Sequence, residues 1–467
     1  MSKHMSPVSR PCCLTDLPAE SCAPVTTLLT DFGVETSQLK LIFLNRFFHP
    51  DHSATSQILS DLAFGLTERG WSVAVITSRQ RYDAPSDTLP PAASIGGVSV
   101  HRIWTSRFGR FNLIGRAVDY LSFYVCAAWS LWRIARPGDV VISKTDPPML
   151  SVIAGPVCGL RRARRINWLQ DIFPEVAEEL GFTGAAARLG FGLLRRLRNR
   201  SLRHADCNVA VGNLMGARLA SFRVEERRIR VIPNWADGER IAPIEPVANE
   251  LRSNWKLDGS FVIGYSGNLG RAHEIETLLE AIRRIERDPQ GHQIRWLFIG
   301  DGTSYRRLQL QASRSGFTSV QFRPYQPRER LAQSLSAADL HLVSLRSKLE
   351  GLIVPSKFYG IAAAGRPAIF IGHPDGEIAQ LIRTNACGLV VREGDGTELA
   401  AVLLRLANDT DECRRIGARA RAAFMKQFNK QIGIARWERL LRDFASPASL
   451  AAAEQTEFDA CVRGPAK

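Results

Sequence analysis

At 467 residues the chain is longer than one hydrophobic core usually serves, so two domains are expected; no run of eighteen uncharged apolar residues is present to span a membrane as a helix. Lys+Arg 61 against Asp+Glu 46 leaves a net charge of +15, which calls for an anionic partner: nucleic acid, a lipid surface or a phosphorylated small molecule. Nine scattered cysteines, never spaced CxxC, speak for reduced packing thiols in the cytosol and against a zinc site, and no helix-turn-helix, RNP or zinc-finger signature supports nucleic acid.

Residues 1–38 are polar and Pro-rich, lack the apolar segment of a secretory signal, and read as a flexible extension. From residue 39 onward strands and helices alternate, the grammar of parallel sheets covered on both faces. The first half predicts strands at 39–44, 72–77, 97–103, 140–143, 165–169, 207–211 and 229–232, with a helix over 56–69 ended by Gly70. Ala117–Trp132 is short, carries Asp119, and reads as an amphipathic or buried helix. Residues 236–258 are polar and loop-like, which places a domain boundary there. The expected organisation is an extension 1–38, a domain 39–235, a second domain 236–429, a helix 430–445 returning toward the first domain, and a loose tail 446–467. The second half predicts strands at 261–265, 294–299, 320–322, 340–344, 368–371 and 388–391, and helices at 275–287, 305–315, 328–337, 358–364, 376–384, 397–408 and 411–429. The fold class is therefore α/β: two Rossmann-like, doubly wound parallel sheets whose strand C-termini face a shared interdomain cleft, where such sheets bind ligands.

The most informative stretch is LEGLIVPSKFYGIAAAGRPAIFIG at 349–372. A polar loop with Glu350, Gly351 and Pro355-Ser356-Lys357 enters an apolar helix, Gly365 closes it, and Pro367 blocks continuation. The loop thus brings a lysine and backbone N–H groups to a helix start that favours an anion. Gly264–Gly270, between a strand and a helix, supplies a tight turn that lets backbone approach a diphosphate; its GxxGxxG spacing is not the dinucleotide fingerprint. Gly300-Asp301-Gly302 ends the next strand, where Asp301 either caps a helix or borders a nucleoside. Asp171 follows an apolar strand and either caps the helix 174–180 or orients and deprotonates an acceptor hydroxyl. In the first βα loop, small residues at 53–55 give an acceptor room beside a helix start, and His49, Asp51 and His52 are too few and too clustered for a metal site. Asp409-Thr-Asp411 matches the DxD pattern of metal-dependent sugar transferases but falls between helices, where it reads as a cap. Basic, aromatic stretches at 104–111, 161–165 and 191–200 fit either a solvated face or an anionic membrane surface.

Taken together, Phe47–Ala54, Leu169–Glu175, Val231–Trp235, Gly264–Gly270, Phe298–Gly302, Val354–Pro367 and Gly376-Glu377 resemble GT-B retaining glycosyltransferases of family 4, with the bacterial capsule, O-antigen and colanic-acid-type exopolysaccharide enzymes as the nearest subgroup. The resemblance spans nearly all of 39–445. It implies a nucleotide-diphosphate sugar donor facing Gly267, Asn268, Gly270, Ser356, Lys357 and Glu377, with Gly300, Gly302 and Tyr325 bordering the nucleoside. It implies an acceptor side of His49, Ser53 and Asp171, and catalytic roles for Asp171, Lys357 and Glu350. It further implies a polyprenyl-diphosphate-linked acceptor, no metal and no cofactor, and a position on the inner face of the plasma membrane. Two departures stand out: the second glutamate of the family's pair is replaced at Gly360, and its His-Asp pair reads Gln170-Asp171. A nucleotide-sugar epimerase of the same fold, or a non-catalytic assembly protein, are the competing readings. Donor base, sugar and acceptor are left open.

Overall fold

A computed structural model describes residues 39–51, 53–81, 87–109, 113–182 and 185–445. The expected extension 1–38, the tail 446–467, His52, Arg110 and Phe111 lie outside the described residues.

In chain order the first half runs β1 Lys40–Leu44, α1 Ala54–Glu68, β2 Ser72–Ser78, β3 Ala92–Ile95, β4 Val98–Ile103, α2 Leu113–Ile134, β5 Val140–Lys144, α3 Leu150–Arg161, β6 Arg164–Leu169, α4 Glu175–Glu179, α5 Ala185–His204, β7 Cys207–Ala210, α6 Asn213–Ser221 and β8 Ile229–Val231. Its sheet has the order β3-β4-β2-β1-β5-β6-β7-β8 and is parallel except for the β3–β4 hairpin. The central strands are buried on both faces, which is why they read as unbroken apolar runs. The hairpin strand Ala92–Ile95 was not expected from the sequence: its half-exposed AASI has no apolar alternation.

The second half continues α7 Glu250–Asn254, β9 Phe261–Ser266, α8 Glu276–Arg287, β10 Ile294–Ile299, α9 Thr303–Ser315, β11 Val320–Arg323, α10 Leu331–Ser336, β12 Leu340–Ser344, α11 Lys357–Ala363, β13 Ala368–Gly372, α12 Glu377–Asn385, β14 Gly388–Arg392, α13 Gly396–Asn408, α14 Thr410–Gln427 and α15 Lys430–Ala445. Six parallel strands in the order β11-β10-β9-β12-β13-β14 form the second sheet. The helix expected over 328–337 is shorter: residues 328–330 form a 3-10 turn, and only Leu331–Ser336 is α-helical.

In each sheet the strand order reverses beside the first strand, between β1 and β5 and between β9 and β12, and ligands of doubly wound folds bind at that crevice. The described parts of the loops that follow β1, β5, β9 and β12 therefore crowd one end of the two sheets. The last helix, α15, packs on the first domain. Gly65 of α1 leaves room for Ile434, Arg69 pairs with Glu438 at 2.8 Å, and Trp437 lies 4.7 Å from Trp168 between ring centroids.

Candidate functional site

Lys357 opens α11, with Ser356 at the N-cap and Gly365 in the left-handed region at φ +65 just past the end. Its side chain crosses to the turn after β9. A Cβ added to Gly267, which has φ +123, would lie 2.8 Å from Lys357 Cε. Lys357 Nζ sits 3.2 Å from His273 Nε2 and 5.3 Å from the Tyr265 ring centre. His273 Nδ1 lies 2.6 Å from the Ser344 carbonyl, which only accepts, so Nδ1 carries the proton and Nε2 is left to accept from Lys357. Burial first, then the Lys357 charge, pushes the imidazole down to about 3, so His273 is neutral. Burial alone lowers Lys357 to about 8. The arrangement is a partly desolvated ammonium, aimed by a neutral histidine, with no carboxylate paired to it among the described residues.

The glycines explain how backbone comes so close. Gly300 and Gly302 both have φ +137, and Cβ atoms there would strike the carbonyls of Gly267 and Leu269. Gly267 N donates to Ile299 O at 2.8 Å and Leu269 N to Asp301 O at 2.9 Å, so the turns after β9 and β10 are stitched together. Asn268 lies exposed at the tip of the turn, Gly270 accepts from Ser304 Oγ at 3.0 Å, and Tyr325 stands exposed on the loop after β11. Asp301 does not cap α9: its carboxylate takes two bonds from Arg306, and Gly302 holds the N-cap position without a side-chain bond.

Two glutamates, Glu350 and Glu377, meet at the start of α12. Glu350 accepts the Glu377 N–H at 3.2 Å through Oε2, while Oε1 is buried with no partner, and burial raises its carboxyl to about 7. Glu377, 5% exposed, reaches into the first domain, where Oε2 accepts the Leu214 N–H at 2.9 Å at the start of α6. A carboxylate at that position complements the helix dipole. Gly360, which stands where the family's second glutamate is expected, faces Leu335 Cδ1.

On the first-domain side, Asp171 follows β6 and forms an isolated antiparallel bridge with Ile353, next to Ile172 N donating to Leu352 O at 2.9 Å. The 349–354 loop of the second domain thus docks beside Asp171. Burial raises its carboxyl to about 6, partly offset by a Thr145 hydroxyl bond, and Oδ1 is unpartnered. It does not cap α4, whose N-cap is Pro174. Asp171 and Lys144 line a cavity of about 30 Å³, room for roughly one water. Ser53 is the N-cap of α1, accepting from Ser56 N, and the His49 ring packs edge-on against Phe64. Asp409 caps α14 through Glu412 N at 2.8 Å, which accounts for the Asp-Thr-Asp triplet. No cluster of His, Cys, Asp and Glu able to hold a metal occurs among the described residues.

Sequence reasoning missed His273 and Lys144. The signal for His273 was its place on the loop between the glycine turn and α8. Nothing in the run VVISK marked Lys144 as a fully buried side chain lying 3.9 Å from the Trp168 ring centre.

Residues 54–235 match the glycosyl transferase 4-like domain, and residues 260–409 match the glycosyl transferases group 1 domain. The chain is 27% identical over 351 residues to the probable glycosyltransferase WbjE of Pseudomonas aeruginosa, covering 74% of this chain and 84% of that one. It is 26% identical over 289 residues to the putative colanic acid biosynthesis glycosyl transferase WcaI of Escherichia coli K12, covering 61% and 69%. Among solved structures, sucrose-phosphate synthase from Thermosynechococcus elongatus superposes with a TM-score of 0.70 at 17% identity, covering 87% and 99% of the two chains. Anabaena Alr3699/HepE in complex with UDP-glucose gives 0.66 at 15%, covering 87% and 100%. The two sheets and their cleft are thus the GT-B fold. Carrying a glycosyl transferase 4-like domain followed by a group 1 domain, the chain is a glycosyltransferase.

Proposed function

We propose that this enzyme moves a sugar from a nucleotide-diphosphate donor to a lipid-linked saccharide acceptor in cell-surface polysaccharide synthesis, with retention at the anomeric carbon, at the inner face of the plasma membrane. The observation that carries the reading is the Lys357 ammonium held over the Gly267 turn at the switch point of the second sheet. The WbjE and WcaI likeness, and the UDP-glucose bound by HepE, support the donor class and the pathway type.

The diphosphate would lie against the 267–270 turn, on the amides that do not stitch it to the loop after β10, with Gly300 and Gly302 keeping that turn free of side chains and Tyr325 near the nucleoside. As the bond from sugar to phosphate breaks, negative charge grows on the leaving oxygen, and the nearby fixed cation stabilises it. Lys357 takes the role that a metal plays elsewhere, so a resident cofactor is not required. Glu350 would hold donor-sugar hydroxyls. Asp171, across the docked 349–354 loop, would orient the acceptor hydroxyl, with His49 and Ser53 on the loop beyond. The departing phosphate itself receives the acceptor proton on the face where the new bond forms, which gives retention. Closure of the two domains supplies proximity and excludes water.

Purified enzyme incubated with UDP-, GDP- and dTDP-sugars and membrane-extracted lipid acceptor tests this. Acceptor-dependent release of nucleotide, unaffected by EDTA and abolished in Lys357→Ala, is expected. Isomerised donor without acceptor would instead establish epimerase chemistry.

A further inference from the structure

The outer face of α2 is apolar and in solvent. Ile114, Val118, Leu121, Val125, Trp129 and Trp132 recur at helical spacing along one side of this 22-residue helix, with Leu121 62% and Trp129 64% exposed. The helix covers about 33 Å at 1.5 Å per residue. Its opposite side supplies Phe123, Ala127 and Leu131 to the core beneath the first sheet, so both sides of α2 are apolar, and among the described residues the outer stripe meets only the Arg161 guanidinium, 5.0 Å over the Trp132 ring at its far end. A surface helix normally turns polar groups outward.

The acid within this helix does not interrupt the stripe. Asp119 is 3% exposed and faces inward, where it accepts from Ser106 Oγ at 2.6 Å, Phe108 N at 2.9 Å and Gly109 N at 2.8 Å. These bonds pin the loop after β4 so that Trp104 and Phe108 stand outward, 62% and 58% exposed. That loop follows the C-terminal end of β4, the cleft end of the sheet, so the stripe begins at the cleft rim and runs away from it. Next to α2 packs α3, with Leu160 exposed, and next to α3 packs α5, with Leu189, Leu193 and Leu197 exposed. Apart from the inward Asp119, α2, α3 and α5 contain no carboxylate, whereas Arg116, Arg133, Arg196, Arg200 and Arg203 are exposed on them and Arg162 just past the end of α3.

We infer that this face, α2 with the Trp104–Phe108 loop and the arginine-bearing outer side of α5, is a docking surface for an anionic lipid bilayer. Aromatic and aliphatic side chains enter the acyl boundary while guanidinium groups meet lipid phosphates, and no exposed acid on these helices opposes them. No helix among the described residues is long and apolar enough to cross a membrane, so the enzyme would lie on the surface with its cleft rim at the interface. Binding of this face to a bilayer does not depend on the sugar chemistry; it deepens the proposed function by bringing the cleft rim to the surface that carries a lipid-anchored acceptor.

The test is co-sedimentation of the full chain with vesicles of phosphatidylcholine alone or mixed equally with phosphatidylglycerol, alongside sedimentation equilibrium without lipid. Native protein should pellet with the mixed vesicles and much less with the neutral ones. Val125→Glu/Trp129→Glu should cut binding at least tenfold, and Arg196→Glu/Arg200→Glu should remove the preference for anionic lipid. Both variants should keep the native melting midpoint and nucleotide affinity, because all four side chains stand at the surface away from the site. Native protein left in the supernatant, or a Val125/Trp129 variant that binds as well as native, overturns the inference. So does a lipid-free dimer that this variant dissolves, which would make the face a protein interface. None of these results bears on whether sugar is transferred.

Discussion

Lys357 and Gly267 are in contact across the second domain's switch point: the lysine stem occupies the space where any side chain at 267 would begin, 2.8 Å from Cε to the missing Cβ. Gly267 therefore serves twice. Its φ of +123 is open to few other residues, and its bare α-carbon lets the ammonium reach the turn. Gly267→Ala should lower nucleotide affinity at least tenfold and cost about 1–3 kcal/mol of stability. Isothermal titration with UDP and GDP, beside a thermal melt, reads both. Undiminished affinity would mean that the turn does not hold the diphosphate.

Lys357 is a charge that the empty enzyme tolerates poorly. Its folded pKa, about 8, lies below the ordinary 10.5, so between those values the unfolded chain holds more protons than the folded one. Stability therefore rises with pH across that window, and below pH 8 the penalty is fully present. Lys357→Met should raise the melting midpoint of the free enzyme at pH 7, by about 2–4 °C for each kcal/mol relieved, while abolishing donor binding. In native enzyme the donor KM should climb above pH 8 as the ammonium is lost. A Met variant that melts lower than native would show that Lys357 is held by a stabilising partner instead.

Glu350 carries the opposite sign. Burial raises its carboxyl from 4.5 to about 7, so the folded state holds the extra proton between those values and stability falls as pH rises through them. Glu350→Gln keeps an oxygen for the Glu377 N–H and removes the charge. Relative to native, the variant should gain about 1–3 kcal/mol at pH 8 and nothing at pH 4.5. Denaturant titrations at the two pH values check this, and an equal change at both would locate the effect in packing.

Glu377 was expected at the donor, yet its carboxylate spans the two domains to cap α6 at Leu214 N. Glu377→Ala leaves that partly buried amide without its partner, a loss of about 1–2 kcal/mol. Small-angle scattering should also show a more open molecule, since one of the ties between the domains is cut. An unchanged radius of gyration together with unchanged stability would contradict the latch.

Strands buried on both faces announced themselves, because V-V-I-S and A-I-F-I admit few other structures, and the second-half helices had caps such as Asp395 and Asp409. The β3–β4 hairpin was legible only through Gly96-Gly97, whose positive φ values suit a tight hairpin turn; the weak strand AASI hid it. The Lys357–Gly267 meeting followed from two motifs at loops of one sheet. What a single chain cannot display is direction: that the apolar side of α2 with Trp129 faces outward, that Glu377 crosses to the other domain, or that His273 turns Nε2 toward Lys357. Those depend on which neighbour fills each side, which sequence spacing alone does not specify.

Asp171 gives the acceptor side its own pH signature. Burial lifts its carboxyl to about 6, the Thr145 hydroxyl holds it back from rising further, and Asp146 nearby adds to the rise. Only the ionised form can pull on an acceptor hydroxyl, so kcat should fall as pH drops through 6, while donor affinity, carried by Lys357 below its own titration, stays level. Asp171→Asn should lower kcat by about 10²–10⁴ and erase that acid limb, with nucleotide binding unchanged. The substitution keeps the shape of the side chain beside the Ile353 bridge, so the docked 349–354 loop should persist. An acid limb that survives in Asp171→Asn belongs to another group, and Asp171 would then have no part in orienting the acceptor hydroxyl.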